Sequence, residues 1–139
     1  MNNKWINKCL QLADKASKKG DLPISAIIVK DNKIISKAFN NKNIKKDVMG
    51  HAEIICIKKA CRKLNRWNLS DCDMIVSLKP CPMCDLIIKE ARINKVYYLL
   101  DKLDYKKTYD KTEYIKIDAL NNEDKVYKEK LSKFFENKR

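Results

Sequence analysis

From Trp5 the apolar positions fall at Trp5, Ile6, Cys9, Leu10, Leu12, Ala13 and Ala16. That spacing predicts an amphipathic first helix, closed by Lys18, Lys19 and Gly20. Two β-branched runs follow, Ile24 to Val29 and Ile34 to Phe39, and the polar stretch Lys30-Asp31-Asn32-Lys33 between them predicts a hairpin. Asn40 sits just past the second strand, and Asn41 to Asp47 reads as a loop. From His51 to Leu64 the apolar residues Ala52, Ile54, Ile55, Ile57, Ala60 and Leu64 predict a largely buried second helix. Met74 to Leu78 is a short buried strand by composition. Pro80-Cys81-Pro82-Met83-Cys84 breaks it into a helix running through Leu86, Ile87, Ile88 and Ala91, since proline loses nothing in a first turn. Val96 to Leu100 reads as a further strand and Tyr114 to Ile117 as a weaker one. The last helix, about Asn122 to Glu136, places Val126, Tyr127, Lys130, Leu131, Phe134 and Phe135 so that one face is apolar.

Strand and helix alternate after the hairpin, which predicts an α/β fold, a three-layer α/β/α sandwich with helices on both faces of a mixed central sheet. There is no internal repeat and no linker, so residues 1–139 read as one domain. No apolar stretch approaches the ~20 residues that span a bilayer. Nothing near Met1 resembles a secretory signal, and a cytoplasmic location is expected.

Charge changes the picture more than composition does. The chain carries 31 Lys+Arg against 18 Asp+Glu, a formal net charge of +13, and 27 of those basic residues are lysine. Lysine, isoleucine and asparagine together are what an A/T-rich coding sequence supplies, and codon bias is one of two readings of the surplus. The other, functional reading is a phosphate-rich partner attracted electrostatically.

The chemistry is concentrated in two places: His51-Ala52-Glu53, and, thirty residues after His51, Pro80-Cys81-Pro82-Met83-Cys84. A CxxC pair alone could be a redox couple, half of a structural zinc site or two catalytic ligands. His51 is the only histidine in the chain, which excludes a Cys₂His₂ site. Cys56 and Cys61 lie five and ten residues after His51, about 140° and 80° around a helix, and so do not share its face. Cys9 and Cys72 remain open as a fourth ligand by spacing. The three-ligand set His51, Cys81 and Cys84 would leave zinc one open position for water, the mark of a catalytic site. Two cysteines at a helix N-terminus also favour the thiolate form that zinc needs. Residues two apart on a regular helix point about 200° from each other, so His51 must sit at the helix edge if Glu53 is to face the same metal. H-x-E with P-C-x-x-C is the signature of zinc nucleobase deaminases, in which the glutamate is the general acid/base and not a ligand. The remaining cysteines read as small core hydrophobes, and Trp5, Trp67 and Phe134-Phe135 as core or interface.

On these residues the chain resembles the cytidine deaminase-like superfamily, and within it the bacterial tRNA adenosine deaminases. The similarity extends to Gly20-Asp21-Leu22-Pro23-Ile24-Ser25-Ala26, to Phe39-Asn40, to Trp67-Asn68-Leu69, to Ala91-Arg92-Ile93 with Val96-Tyr97-Tyr98, and to the basic ending Leu131-Ser132-Lys133-Phe134-Phe135 with Lys138-Arg139. The resemblance implies a homodimer, a central sheet of about five strands, one Zn²⁺ per chain, and hydrolysis of wobble adenosine to inosine in the anticodon loop of an arginine tRNA, with Asn40 contacting the flipped base. The chain departs from the family pattern at Lys79, where glutamate is usual, at Val48 and Gly50, at Asp85-Leu86, and in the segment Lys102 to Thr112, which is shorter and lacks the usual glycines. Two rival readings stand beside it. One is a deaminase of a free base or nucleotide such as guanine or cytosine, because Cys-Pro-Met-Cys also occurs in similar guanine deaminases. The other is a non-enzymatic, zinc-stabilised RNA-binding module, which would need a closed four-ligand site completed by Cys9 or Cys72.

Overall fold

The computed structural model describes residues 3–101 and 112–137. The hairpin forms as its sequence predicts, from β1 (Ser25–Lys30) and β2 (Lys33–Phe39), antiparallel and paired from Ser25↔Phe39 to Lys30↔Lys33. Asp31 and Asn32 turn the chain with φ of 50° and 62°, the left-handed pair of a two-residue hairpin turn. β1 also pairs antiparallel with β3 (Asp73–Leu78), and β3 pairs in parallel with β4 (Lys95–Leu100). Among the described residues the sheet is four-stranded and mixed, in the order β2-β1-β3-β4.

Period-two alternation divides the inner strands between two cores. Ala26, Ile28, Met74 and Val76 face one layer, α3 (Ala52–Leu64) and α4 (Pro82–Glu90), where they pack with Ala52, Cys56, Ala60 and Ile88. Ile27, Val29 and Ile75 face the other, α1 (Asn3–Lys18), through Cys9 and Leu12. This is the α/β/α sandwich expected, and it explains why β1 is apolar without alternation: both of its faces are covered. Fully burying an isoleucine such as Ile27 or Ile28 contributes about 1.5–3 kcal/mol, so the central hairpin strand is a main source of stability.

Two local expectations change. The loop Asn41 to Asp47 contains a one-turn helix, α2 (Lys42–Lys45). Its first amides, those of Asn43 and Ile44, donate to the carboxylate of Asp21 at 2.9 and 3.0 Å, a cap supplied from 22 residues upstream. Tyr114 to Ile117 is not a strand. Tyr114, Ile115 and Ile117 are 96%, 82% and 86% exposed, and among the described residues no strand pairs with them, so alternating β-formers there have no ladder to join.

The chain divides into two compact units, Met1–Tyr105 and Lys106–Arg139. The sheet and α1–α4 make up the first. In the second, α5 (Glu123–Asn137) begins where Asn122 accepts the Val126 amide, and the Glu123 carboxylate accepts the Asn121 amide at 3.1 Å. Its apolar residues Val126, Tyr127, Leu131 and Phe135 are exposed, and Phe134 stands edge-on to Phe135 at 5.6 Å. Among the described residues no helix is long and apolar enough to cross a membrane. Most of the segment Lys102 to Thr112, and Lys138-Arg139, lie outside the described residues.

Candidate active site and metal centre

The turn into α3 resolves the geometric demand of H-x-E. His51 is not helical: it is the N-cap residue, with φ −83° and ψ 137°. The extended backbone at that one position swings its imidazole away from the direction a helical residue would take. Glu53, in the first turn, can therefore share its neighbourhood. Cys81 plays the matching part on α4: it is the N-cap residue, φ −68° and ψ 165°, followed by Pro82 at the first helical position and by Cys84 one turn in.

These two helix starts bring three donors together. His51 Nδ1 lies 3.9 Å from Cys81 Sγ and 3.5 Å from Cys84 Sγ, and all three donor atoms fall within 4.8 Å of one another. Nitrogen and sulfur ligands on a tetrahedral zinc stand roughly 3.5–3.8 Å apart, given bonds of about 2.0–2.3 Å. The donor set therefore fits zinc in both chemistry and spacing. Cys9 and Cys72 are elsewhere: the Cys9 thiol donates to the Ile75 carbonyl, and the Cys72 thiol to Asp71. Among the described residues the cluster is a three-ligand one, and the closed site that a purely structural zinc module requires is not formed.

The electrostatics of the site follow from the same crowding. Cys81 is drawn down to about 5, first by the hydrogen bond from the Cys84 thiol, then, against the cost of burial, by the amides of Cys84 and Met83 and by His51. Cys84 is pushed upward by being the donor in that bond, by burial and by the nearby Glu53 carboxylate. The pair thus resists ionising together, and a cation at the cluster would favour the thiolate form of both.

Glu53 is 4% exposed and lies against Cys84, and burial raises its pKa. Its Oε1 is buried without a hydrogen-bond partner among the described residues. An ionisable oxygen left unpaired in the interior is costly. The Glu53 carboxylate lies beside the donor cluster, close enough to Cys84, Cys81 and His51 to act on it electrostatically. Zinc held by His51, Cys81 and Cys84 would supply the acidification of a water molecule to near neutrality.

Asn40 is 2% exposed, and its Oδ1 accepts the amide of Ala52 at 2.7 Å. It thereby ties the end of β2 to the first residue of α3, between His51 and Glu53. Two residues with structural parts in the site escape sequence reasoning. Asp21 fixes the turn after β2, and its only local signal is an aspartate after the helix-ending Gly20, whose φ is +89°. Gly50 gives its carbonyl to the amides of Asn41 and Lys42, at 2.9 and 3.1 Å. A Cβ at Gly50 would stand 2.5 Å from the Lys42 nitrogen. The departing residue Lys79 is exposed, its ammonium 5.4 Å from the Tyr98 ring centre.

Residues 1–100 match the model of the cytidine and deoxycytidylate deaminase zinc-binding region. The chain belongs to this deaminase family. The deaminase domain is 44% identical over 99 residues to a tRNA-specific adenosine deaminase of Aquifex aeolicus, a match covering 70% of this chain and 66% of that protein. It is 42% identical over 82 residues to a guanine deaminase of Bacillus subtilis, covering 59% of this chain and 53% of that one. Among solved structures, one from work on A-to-I editing by tRNA:A34 deaminases at the wobble position of transfer RNA superposes with a TM-score of 0.70 at 34% identity, over 72% of this chain and 77% of that chain. The crystal structure of the Bacillus subtilis guanine deaminase superposes with a TM-score of 0.79 at 27% identity, over 95% of both. The deaminase thus spans about two thirds or less of the length of these curated relatives.

Proposed function

We propose that the protein hydrolyses adenosine to inosine at the wobble position of a tRNA, arginine tRNA first among them, acting on the anticodon loop as a cytoplasmic homodimer. The observation that carries this reading is the buried Glu53 carboxylate with its unpaired Oε1, set against three converging donors in a chain so similar to tRNA-specific adenosine deaminases. Such a constellation suits a base delivered from a single strand, since the reacting ring must leave its stack to reach it. His51, Cys81 and Cys84 hold the zinc. Glu53 takes a proton at its carboxylate and returns it to the base as the exocyclic amine leaves as ammonia. Water adds at C6 of adenine, so that adenosine and water give inosine and ammonia. Asn40 holds the start of α3 through its Oδ1 and offers its amide side to the flipped base.

A second reading, deamination of free guanine, is favoured by one specific observation. The guanine deaminase structure superposes over a larger share of the chain than the wobble-editing one does. Zinc-loaded protein incubated in parallel with an anticodon stem-loop carrying wobble adenosine and with guanine separates the two. Inosine in the RNA and no xanthine is the expected result, and xanthine with unchanged RNA would transfer the assignment to the free base.

A further inference from the structure

Beside the β2 edge of the sheet lies a cavity of about 220 Å³ whose rim carries three lysines from three elements, Lys15 of α1, Lys37 of β2 and Lys59 of α3. All three side chains are exposed. Lys59 Nζ reaches round the edge to donate to the Lys37 carbonyl at 3.1 Å. The ion pairs found among the described residues draw on Lys18, Lys30, Arg66 and Lys89, and none involves these three. A fourth cation, Lys8, packs close enough that the charge of Lys37, followed by burial and the charge of Lys15, lowers its pKa. On the same wall, Lys19 sits 5.3 Å above the Phe39 ring.

One lysine on an edge strand is explained by the need to keep other strands from pairing there. Lysines converging from both helical layers on one concavity, with no carboxylate among its described lining residues, are not. Like charges held together cost free energy that an anion would recover. The position is informative as well. The cavity is also lined by Asn41 and Ile55, one residue beyond Asn40 and four beyond His51, so it adjoins the end of β2 and the start of α3 that build the candidate site.

We infer that the Lys15, Lys37 and Lys59 cavity binds phosphodiester groups of the RNA strand that flanks the nucleotide entering the active site. The inference rests on the reading of the substrate as RNA. It adds a backbone contact that positions the strand without selecting its sequence.

Fluorescence anisotropy tests it without turnover, using the full chain, a labelled RNA hairpin with adenosine at the wobble position, and a series of salt concentrations. Combined Lys15→Ala, Lys37→Ala and Lys59→Ala substitution is expected to weaken binding about tenfold or more near 100 mM salt. It should also flatten the plot of log affinity against log salt by roughly one to two units, the signature of lost phosphate contacts. The same three positions as arginine should bind like the parent, which separates loss of charge from loss of fold. A control with equal charge removed elsewhere, Lys33→Ala, Lys63→Ala and Lys95→Ala, should leave most of the slope. The inference is overturned if the parent does not bind the hairpin, if the cavity triple keeps the parental slope, or if the control triple loses as much. Absence of inosine with the cavity-dependent slope intact would instead remove the proposed reaction and leave the phosphate site standing.

Discussion

Asn40 Oδ1 accepts the amide of Ala52 at 2.7 Å, so a residue that ends a strand fixes the one backbone position lying between His51 and Glu53. The bond is buried. In the fold it is the joint between the sheet and the turn that carries His51 and Glu53, and its loss would leave an amide of the first helical turn unpaired.

Asn40→Ala is therefore expected to destabilise the protein by about 1–3 kcal/mol, the cost of an unsatisfied buried donor, as well as to lower turnover. Urea denaturation of parent and variant measures the first part. A residue serving only as a base contact would leave the unfolding midpoint where it was.

Gly50→Ala should be destabilising too. The added Cβ meets backbone, 2.5 Å from the Lys42 nitrogen and 2.6 Å from its Cα, and cannot be relieved by turning a side chain aside. Overpacking of this kind costs about 1–3 kcal/mol. A lowered midpoint in thermal unfolding is the expected outcome, and an unchanged one would mean that the Asn41–Lys42 turn moves freely.

Asp21 gives a pH-dependent signature. Burial pulls its pKa up, but the amides of Ile44, Leu22 and Asn43, helped by Lys42, outweigh it and leave the carboxyl below its ordinary value. The folded state thus prefers the charged form. The resulting stability is present above the unfolded carboxyl pKa of about 3.9 and is lost as the pH falls through the lower folded value. Asp21→Asn should be less stable than the parent at pH 7, and the difference should shrink as the pH falls below the unfolded carboxyl pKa of about 3.9, as read by denaturant midpoints across that range.

Metal content distinguishes the ligand set from the other cysteines. Replacing His51, Cys81 or Cys84 should reduce bound zinc well below one per chain, by elemental analysis, and lower thermal stability, since a ligand that binds only the folded state adds to it. Cys9→Ser and Cys72→Ser should keep the metal. Zinc loss in either of those variants would revive the closed four-ligand site.

How far these features could be read in advance depends on the range over which each is determined. The position of His51 was legible because helical geometry requires it: two residues apart, histidine and glutamate can cooperate only if one of them is off the helix. The apolar runs of the hairpin and the Pro-Cys-Pro start of α4 are equally local, written in consecutive residues. α2 was not legible, because the group that caps it, Asp21, lies on the other side of the hairpin in sequence. Tyr114 to Ile117 has strand composition, yet a strand is made by its neighbour's backbone as much as by its own side chains. The lysine cavity shows the same limit, since its cations come from positions 15, 37 and 59 and meet only once the sheet has folded.

The most direct test of the centre itself compares the parent with Glu53→Ala, both brought to one zinc per chain, for zinc content and for inosine formed in the wobble-adenosine stem-loop. If Glu53 carries the proton and is not a ligand, the variant keeps its metal and loses turnover by 10²-fold or more, the scale of general acid–base catalysis. Loss of zinc from the variant, or turnover near that of the parent, would contradict the role assigned to Glu53.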